Sequence, residues 1–148
     1  MTSFDYHDIT KILPHRPPFL LVDRIIGFEP DRRIIGIKNV AANEPYMATD
    51  RGRWLLPPTM LMEAMAQVGA ILVLAKEENR HLLIYFGGVT RARYRRPAYA
   101  GDQLLIEAWV DRLRGRMGRL KGVARVDGAL IAHGMMSFAL GSRDDFQR

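Results

Sequence analysis

Between Leu56 and Glu77 the chain is apolar with very few interruptions: Leu56-Pro57-Pro58 leads into Thr59-Met60-Leu61-Met62-Glu63-Ala64-Met65-Ala66-Gln67 and on to Ala75. Proline suits the first helical position, where no N–H is missed, and Lys76-Glu77-Glu78-Asn79-Arg80 supplies a polar stop. The pattern therefore predicts a helix from Pro58 to about Glu77. A helix that is apolar nearly all round is wrapped by the rest of its domain, because its polar face is too narrow to meet water. Its longest unbroken part, Ala64 to Ala75 with Gln67 inside it, falls short of the roughly 20 residues a membrane span needs, so no membrane span is implied.

Near the start of this helix stands one carboxylate, Glu63. Burying an unpaired carboxylate is unfavourable enough that the group either finds partners or keeps its proton, which is what a general acid requires. Glu63 is the first candidate for chemistry, and Gln67 follows one turn later on the same face.

The flanking segments read mostly as strands. Asp5 to Leu13 has the spacing of a short helix closed by Pro14, and Pro17-Pro18 then launches a strand from Phe19 to Phe28. Glu29-Pro30-Asp31 turns the chain into a second strand, Arg33 to Val40, making a hairpin. The segment from Asn43 to Leu56 reads as irregular. After the helix come only strand signals: Leu82 to Val89, Gln103 to Leu113, Arg119 to Val126 and Leu130 to Leu140, the last two joined by the hairpin pair Asp127-Gly128. One buried helix after two strands and before four more describes an α+β domain whose antiparallel sheet curls around the helix.

The 148 residues fit a single domain spanning 1–148. The absence of cysteine removes disulfide frameworks and thiolate metal sites. With no signal-type apolar stretch behind a basic start, it predicts a cytoplasmic protein. The histidines, His7, His15, His81 and His133, lack metal-ligand spacing, and no phosphate-cradling glycine loop occurs, so neither metal nor cofactor is expected. The net charge of +6 resides largely in arginines at 91–96 and 112–119. Such a field suits an acidic carrier protein, an anionic phosphopantetheine or nucleotide, or nucleic acid, and equally a plain solvated surface.

Several segments, in order along almost the whole chain, carry a resemblance: Leu13-Pro14-His15-Arg16-Pro17-Pro18-Phe19-Leu20-Leu21-Val22-Asp23-Arg24, Lys38-Asn39-Val40, Asn43-Glu44-Pro45, Glu63-Ala64-Met65-Ala66-Gln67, Arg93-Tyr94-Arg95-Arg96-Pro97 and Gly101-Asp102-Gln103-Leu104. Together they resemble the 3-hydroxyacyl-acyl-carrier-protein dehydratases of fatty-acid synthesis. The resemblance implies a hotdog fold, a homodimer with its long helices side by side and active sites at the subunit interface, often assembled as a trimer of dimers. It also implies an acyl-phosphopantetheine substrate delivered by acyl carrier protein, and no nucleic-acid partner.

In that family a loop histidine removes the proton beside the thioester and a Glu or Asp on the central helix of the partner subunit protonates the departing hydroxyl. Glu63 matches the acid. Counting from Asn43-Glu44-Pro45, the histidine's position falls on Asp50, which becomes the candidate base, with Thr49 beside it. A histidine from elsewhere, His15 or His81, is the other way to fill that position. The family's oxyanion glycine is replaced by Pro58, which has no N–H, leaving Thr59 N–H and the helix dipole. Such a donor is typically worth roughly 2.7–4 kcal/mol. Thr59, Pro58, Gln67, Tyr46 and Met62 are the expected substrate-binding residues, with Trp54 and Met60 as further candidates for an acyl tunnel. Arg93, Arg95 and Arg96 are the expected carrier contacts. Two alternatives share the fold: a non-catalytic subunit that binds acyl-carrier thioesters beside a catalytic relative, and a thioesterase in which a carboxylate activates water.

Overall fold

The computed structural model describes residues 2–146. Strand β1 (Thr2–Phe4) precedes α1 (Tyr6–Ile12), then come β2 (Arg24–Glu29), β3 (Arg33–Asn39), β4 (Ala48–Asp50) and β5 (Arg53–Leu56). The long helix α2 (Pro58–Leu74) follows, and after it β6 (Leu83–Tyr94), β7 (Ala98–Tyr99), β8 (Gln103–Arg114), β9 (Met117–Val126) and β10 (Ala129–Gly141). Seven strands form one antiparallel sheet in the order β1-β2-β3-β8-β9-β10-β6, and β4-β5-β7 make a small second sheet.

The large sheet wraps α2, as the apolar pattern predicts. Alternate residues of β8 (Leu104, Ile106, Ala108) and β9 (Leu120, Ala124, Val126) point inward and are buried. From Leu61 to Ala75 every residue of the helical stretch is buried except Glu63. Glycines set how closely helix and sheet approach. A methyl group on Gly36 of β3 would stand 2.7 Å from Val68 Cγ2, and one on Gly69 of α2 would stand 2.7 Å from Leu120 Cδ1.

Several boundaries differ from the sequence reading, each for a physical reason. The strand expected from Phe19 begins only at Arg24. Leu20, Leu21 and Val22 are buried in succession rather than alternately, and the Leu21 N–H is taken by a side chain of α2 instead of a neighbouring strand. The helix expected to reach Glu77 ends at Leu74, and Glu77–Asn79 forms a separate short 3₁₀ turn. Strand β6 runs past Val89 to Tyr94, because a positive φ of 52° at Arg91 shifts its register without ending it.

The stretch read as irregular between Asn43 and Leu56 holds a hairpin. Arg51 (φ 49°) and Gly52 (φ 77°) form a two-residue turn that joins β4 to β5, and Leu55 and Leu56 pair with Tyr99 and Ala98 of β7. Its charged, exposed residues show no alternation from which a strand is legible. The Arg53 guanidinium stacks 3.4 Å from the centre of the Tyr99 ring. The Asp127-Gly128 turn is found as expected, with φ of 49° and 80°.

Candidate active site

Glu63 lies near the head of α2, and within one chain its side chain is 44% exposed. It is nonetheless anchored. Gln67, one turn on and 1% exposed, donates from Nε2 to Glu63 Oε1 at 2.9 Å and to the Phe19 carbonyl at 2.8 Å, while its Oε1 accepts the Leu21 N–H at 2.8 Å. One buried amide thus ties the segment after α1 to the helix and holds the carboxylate. Sequence spacing placed Gln67 beside Glu63; its role as this anchor required the fold.

His15 Nε2 lies 3.8 Å from Glu63 Oε1. Of the two histidines open to serve the site, His15 reaches the carboxylate, whereas His81 borders a surface groove near Thr10 and Arg80. The loop carrying His15 is held by Arg16, whose guanidinium donates to the carbonyls of Thr10, Leu13 and His15 at 3.0, 3.0 and 2.7 Å.

Beside Glu63 is an apolar cavity of about 350 Å³, bounded by Thr59, Met62 and Ala66 of α2 and by Phe86, Val89 and Met136 from the sheet. A second groove of about 330 Å³ is lined by Pro58 and Leu61 with Arg95 and Arg96, and Tyr94 borders both. Met62, Thr59, Pro58, Arg95 and Arg96 therefore gather around the head of α2, while Arg93 is exposed on β6 opposite His133. Phe86, Val89 and Met136 are wall residues the sequence did not single out; they lie on strands far from Glu63 in the chain.

Other expected residues stand apart. Tyr46 borders neither cavity: its hydroxyl donates to Glu44 Oε1 at 2.7 Å, and Lys38 Nζ, on a side chain only 2% exposed, meets the same oxygen at 2.6 Å. Burial first, then the Glu44 carboxylate, pushes the Tyr46 hydroxyl above its ordinary range. Asp50 is exposed at the end of β4 opposite Arg53, and among the described residues its side chain has no hydrogen-bond or ion-pair partner. The Thr59 N–H is likewise free, the first helical bonds being those of Met60 and Leu61 to the Pro57 carbonyl at 2.9 and 3.0 Å. Among the described residues no group of three His, Asp or Glu side chains is placed to hold a metal, and no helix is long and apolar enough to cross a membrane.

A sheet curled round one long helix, with an anchored carboxylate beside an apolar cavity at the helix head, is the architecture of a hotdog protein. A family model described as the FabA-like domain matches residues 13–135. The 3-hydroxyacyl-acyl-carrier-protein dehydratase FabZ of Anoxybacillus flavithermus is 44% identical over 140 residues, covering 94% of this chain and 99% of that protein. FabZ of Bacillus velezensis is 45% identical over 138 residues, 93% and 98% of the two chains. Among solved structures, the dehydratase heterocomplex ApeI:P from Xenorhabdus doucetiae matches the fold at a TM-score of 0.79 with 21% identity over 92% of each chain. The chain belongs to the FabA-like family, among the FabZ-type dehydratases.

Proposed function

We propose that this chain removes water from 3-hydroxyacyl thioesters presented by an acyl carrier protein, with Glu63 as the acid. The observation that carries this reading is the anchored carboxylate beside an apolar cavity of about 350 Å³, which suits an acyl tail with its C3 hydroxyl at the helix head. The FabZ dehydratases at 44% and 45% identity support the same reaction. A base takes the proton on C2, the C2–C3 double bond forms, the C3–O bond breaks, and Glu63 passes its proton to the hydroxyl, which leaves as water.

Residues 43–56 contain no histidine, so a bound water serves as the base, or Asp50 does where the subunit interface brings it to Glu63 of the partner subunit. The Thr59 N–H and the dipole of the 17-residue helix α2 polarise the thioester carbonyl in place of the donor that Pro58 lacks. Arg93, Arg95 and Arg96 receive the acidic carrier. The working unit is a homodimer. In support, β6 has β10 on one side only and its residues 87–94 are exposed, and a long open edge strand is ordinarily covered.

The test is mass spectrometry of a 3-hydroxyacyl-acyl-carrier-protein incubated with the protein and with Glu63→Gln. Loss of water by the wild type, cut at least about 100-fold in Glu63→Gln, is expected. An equal rate in the variant refutes the scheme, and release of free acid identifies a thioesterase instead. The unpartnered, exposed Asp50 favours a second reading: a subunit that binds the thioester while a catalytic relative supplies the base. The ApeI:P dehydratase, a heterocomplex, shares the fold. Turnover only on mixing with such a relative supports this second reading.

A further inference from the structure

We infer that His15 is a positioning residue, a neutral imidazole whose Nε2–H donates to Glu63 Oε1 and leaves Oε2 as the oxygen that carries the transferable proton. The inference rests on the proposed role of Glu63 and adds to it the identity of the working oxygen. Two facts about the ring decide its state. Nε2 is 3.8 Å from Glu63 Oε1, within reach of a hydrogen bond after a small side-chain rotation, and Nδ1 is buried without a hydrogen-bond partner among the described residues. Nδ1 lacks a partner in either tautomer, so the Nε2 side chooses: facing a carboxyl oxygen, a proton on Nε2 donates whereas a bare lone pair would be repelled, and the ring carries its single proton on Nε2.

The carboxyl group then has its two oxygens sorted. Gln67 Nε2 already donates to Oε1 at 2.9 Å, and His15 approaches the same atom, whereas no partner is found for Oε2 among the described residues. Two N–H donors on one oxygen make it the carbonyl oxygen of the protonated acid and place the acidic proton on the other. One donor, His15, sits on the strap of residues 13–21, and the other, Gln67, sits on α2 and is bonded to that strap. Residues 13–21 are fixed by Arg16 on the α1 side and by the Gln67 amide on the α2 side, so His15 from the strap and Gln67 from the helix meet Glu63 in one preorganised arrangement.

This role differs from that of a base. A base must accept a proton and pass through the imidazolium, which would leave a charged Nδ1–H buried without an acceptor. It also predicts which replacements succeed. Glutamine at position 15 keeps an N–H donor near the place of Nε2, while leucine keeps bulk and loses the donor.

Two measurements on the intact protein decide the matter. The ¹⁵N shifts of the His15 ring near neutral pH are expected to show a protonated Nε2 and a bare Nδ1, with the Nε2 signal moving in Glu63→Gln. A protonated Nδ1, or a ring indifferent to Glu63→Gln, overturns the inference whether or not the protein has dehydratase activity. In the dehydration assay, His15→Leu is expected to lose about 100-fold in kcat with KM nearly unchanged, and His15→Gln to recover to within about fivefold of wild type. His15→Gln as slow as His15→Leu, or both as fast as wild type, refutes it. No turnover by the wild type removes the proposed dehydration, while the ring shifts still judge the contact.

Discussion

Replacing Gln67 with methionine tests whether one buried amide both fastens the strap and aims the carboxylate. Methionine matches glutamine in length and shape but has no N–H and no strong acceptor. The Leu21 N–H, in a residue 2% exposed, is then left without its 2.8 Å acceptor, a loss of about 1–3 kcal/mol. The Phe19 carbonyl belongs to a residue 69% exposed, so water replaces its lost donor at little cost. Losing the bond to Glu63 removes about 1 kcal/mol more, and the better burial of methionine returns about the same. The net destabilisation is about 2 kcal/mol, or about 4–8 °C in Tm for a chain of this size, measured by calorimetry at fixed protein concentration. In the dehydration assay kcat falls at least about tenfold as Glu63 loses its anchor. A Tm within about 1 °C of wild type refutes the energetic argument. A lower Tm with unchanged kcat refutes the claim that Gln67 aims Glu63.

Lys38→Met leaves the Glu44 carboxylate without the cation at 2.6 Å and is expected to cost about 3 kcal/mol, read from urea midpoints; the double variant with Glu44→Gln recovers much of that loss, and no recovery refutes the pairing. The Asp111 carboxyl is held below its ordinary value of 3.8 by hydrogen bonds from Lys121 and Arg119. A lowered folded-state value stabilises the protein above pH 3.8 and ceases to do so as pH falls through that lower value, so the stabilities of wild type and Asp111→Asn converge in acid. A gap between the two that stays constant from neutral to acid pH refutes this.

The α2 core and the hairpins were legible because they depend on local pattern: an unbroken apolar helix behind Pro58, alternation in β8 and β9, and Asp127-Gly128 at a turn. The β4–β5 hairpin was not, since it turns on Arg51 in a left-handed conformation usually given to glycine or asparagine and buries little. Strand β1, three residues long, is too short for any periodic signal and is held by pairing with β2. At the site, Glu63, Thr59 and Met62 were found because they follow one another on one helix. His15 was visible as one of two histidines, and only the path of residues 13–21 over α2 selects it over His81. Phe86, Val89 and Met136 come to the site through strand order, which no local spacing encodes.

The glycine approaches on the β3, β8 and β9 side have a consequence for ligand selectivity. There the helix rests against the sheet with no space for a further methyl group at Gly36 or Gly69, so that side is closed to any guest. The gap lies on the opposite flank, between α2 and strands β6 and β10, and its walls are side chains: Met62, Phe86, Val89 and Met136. Under the proposed function, the depth available to an acyl chain would therefore be set by a few replaceable groups rather than by the helix-to-sheet spacing. Selection for shorter or longer substrates can proceed by single substitutions at those positions while the backbone stays where the glycines hold it.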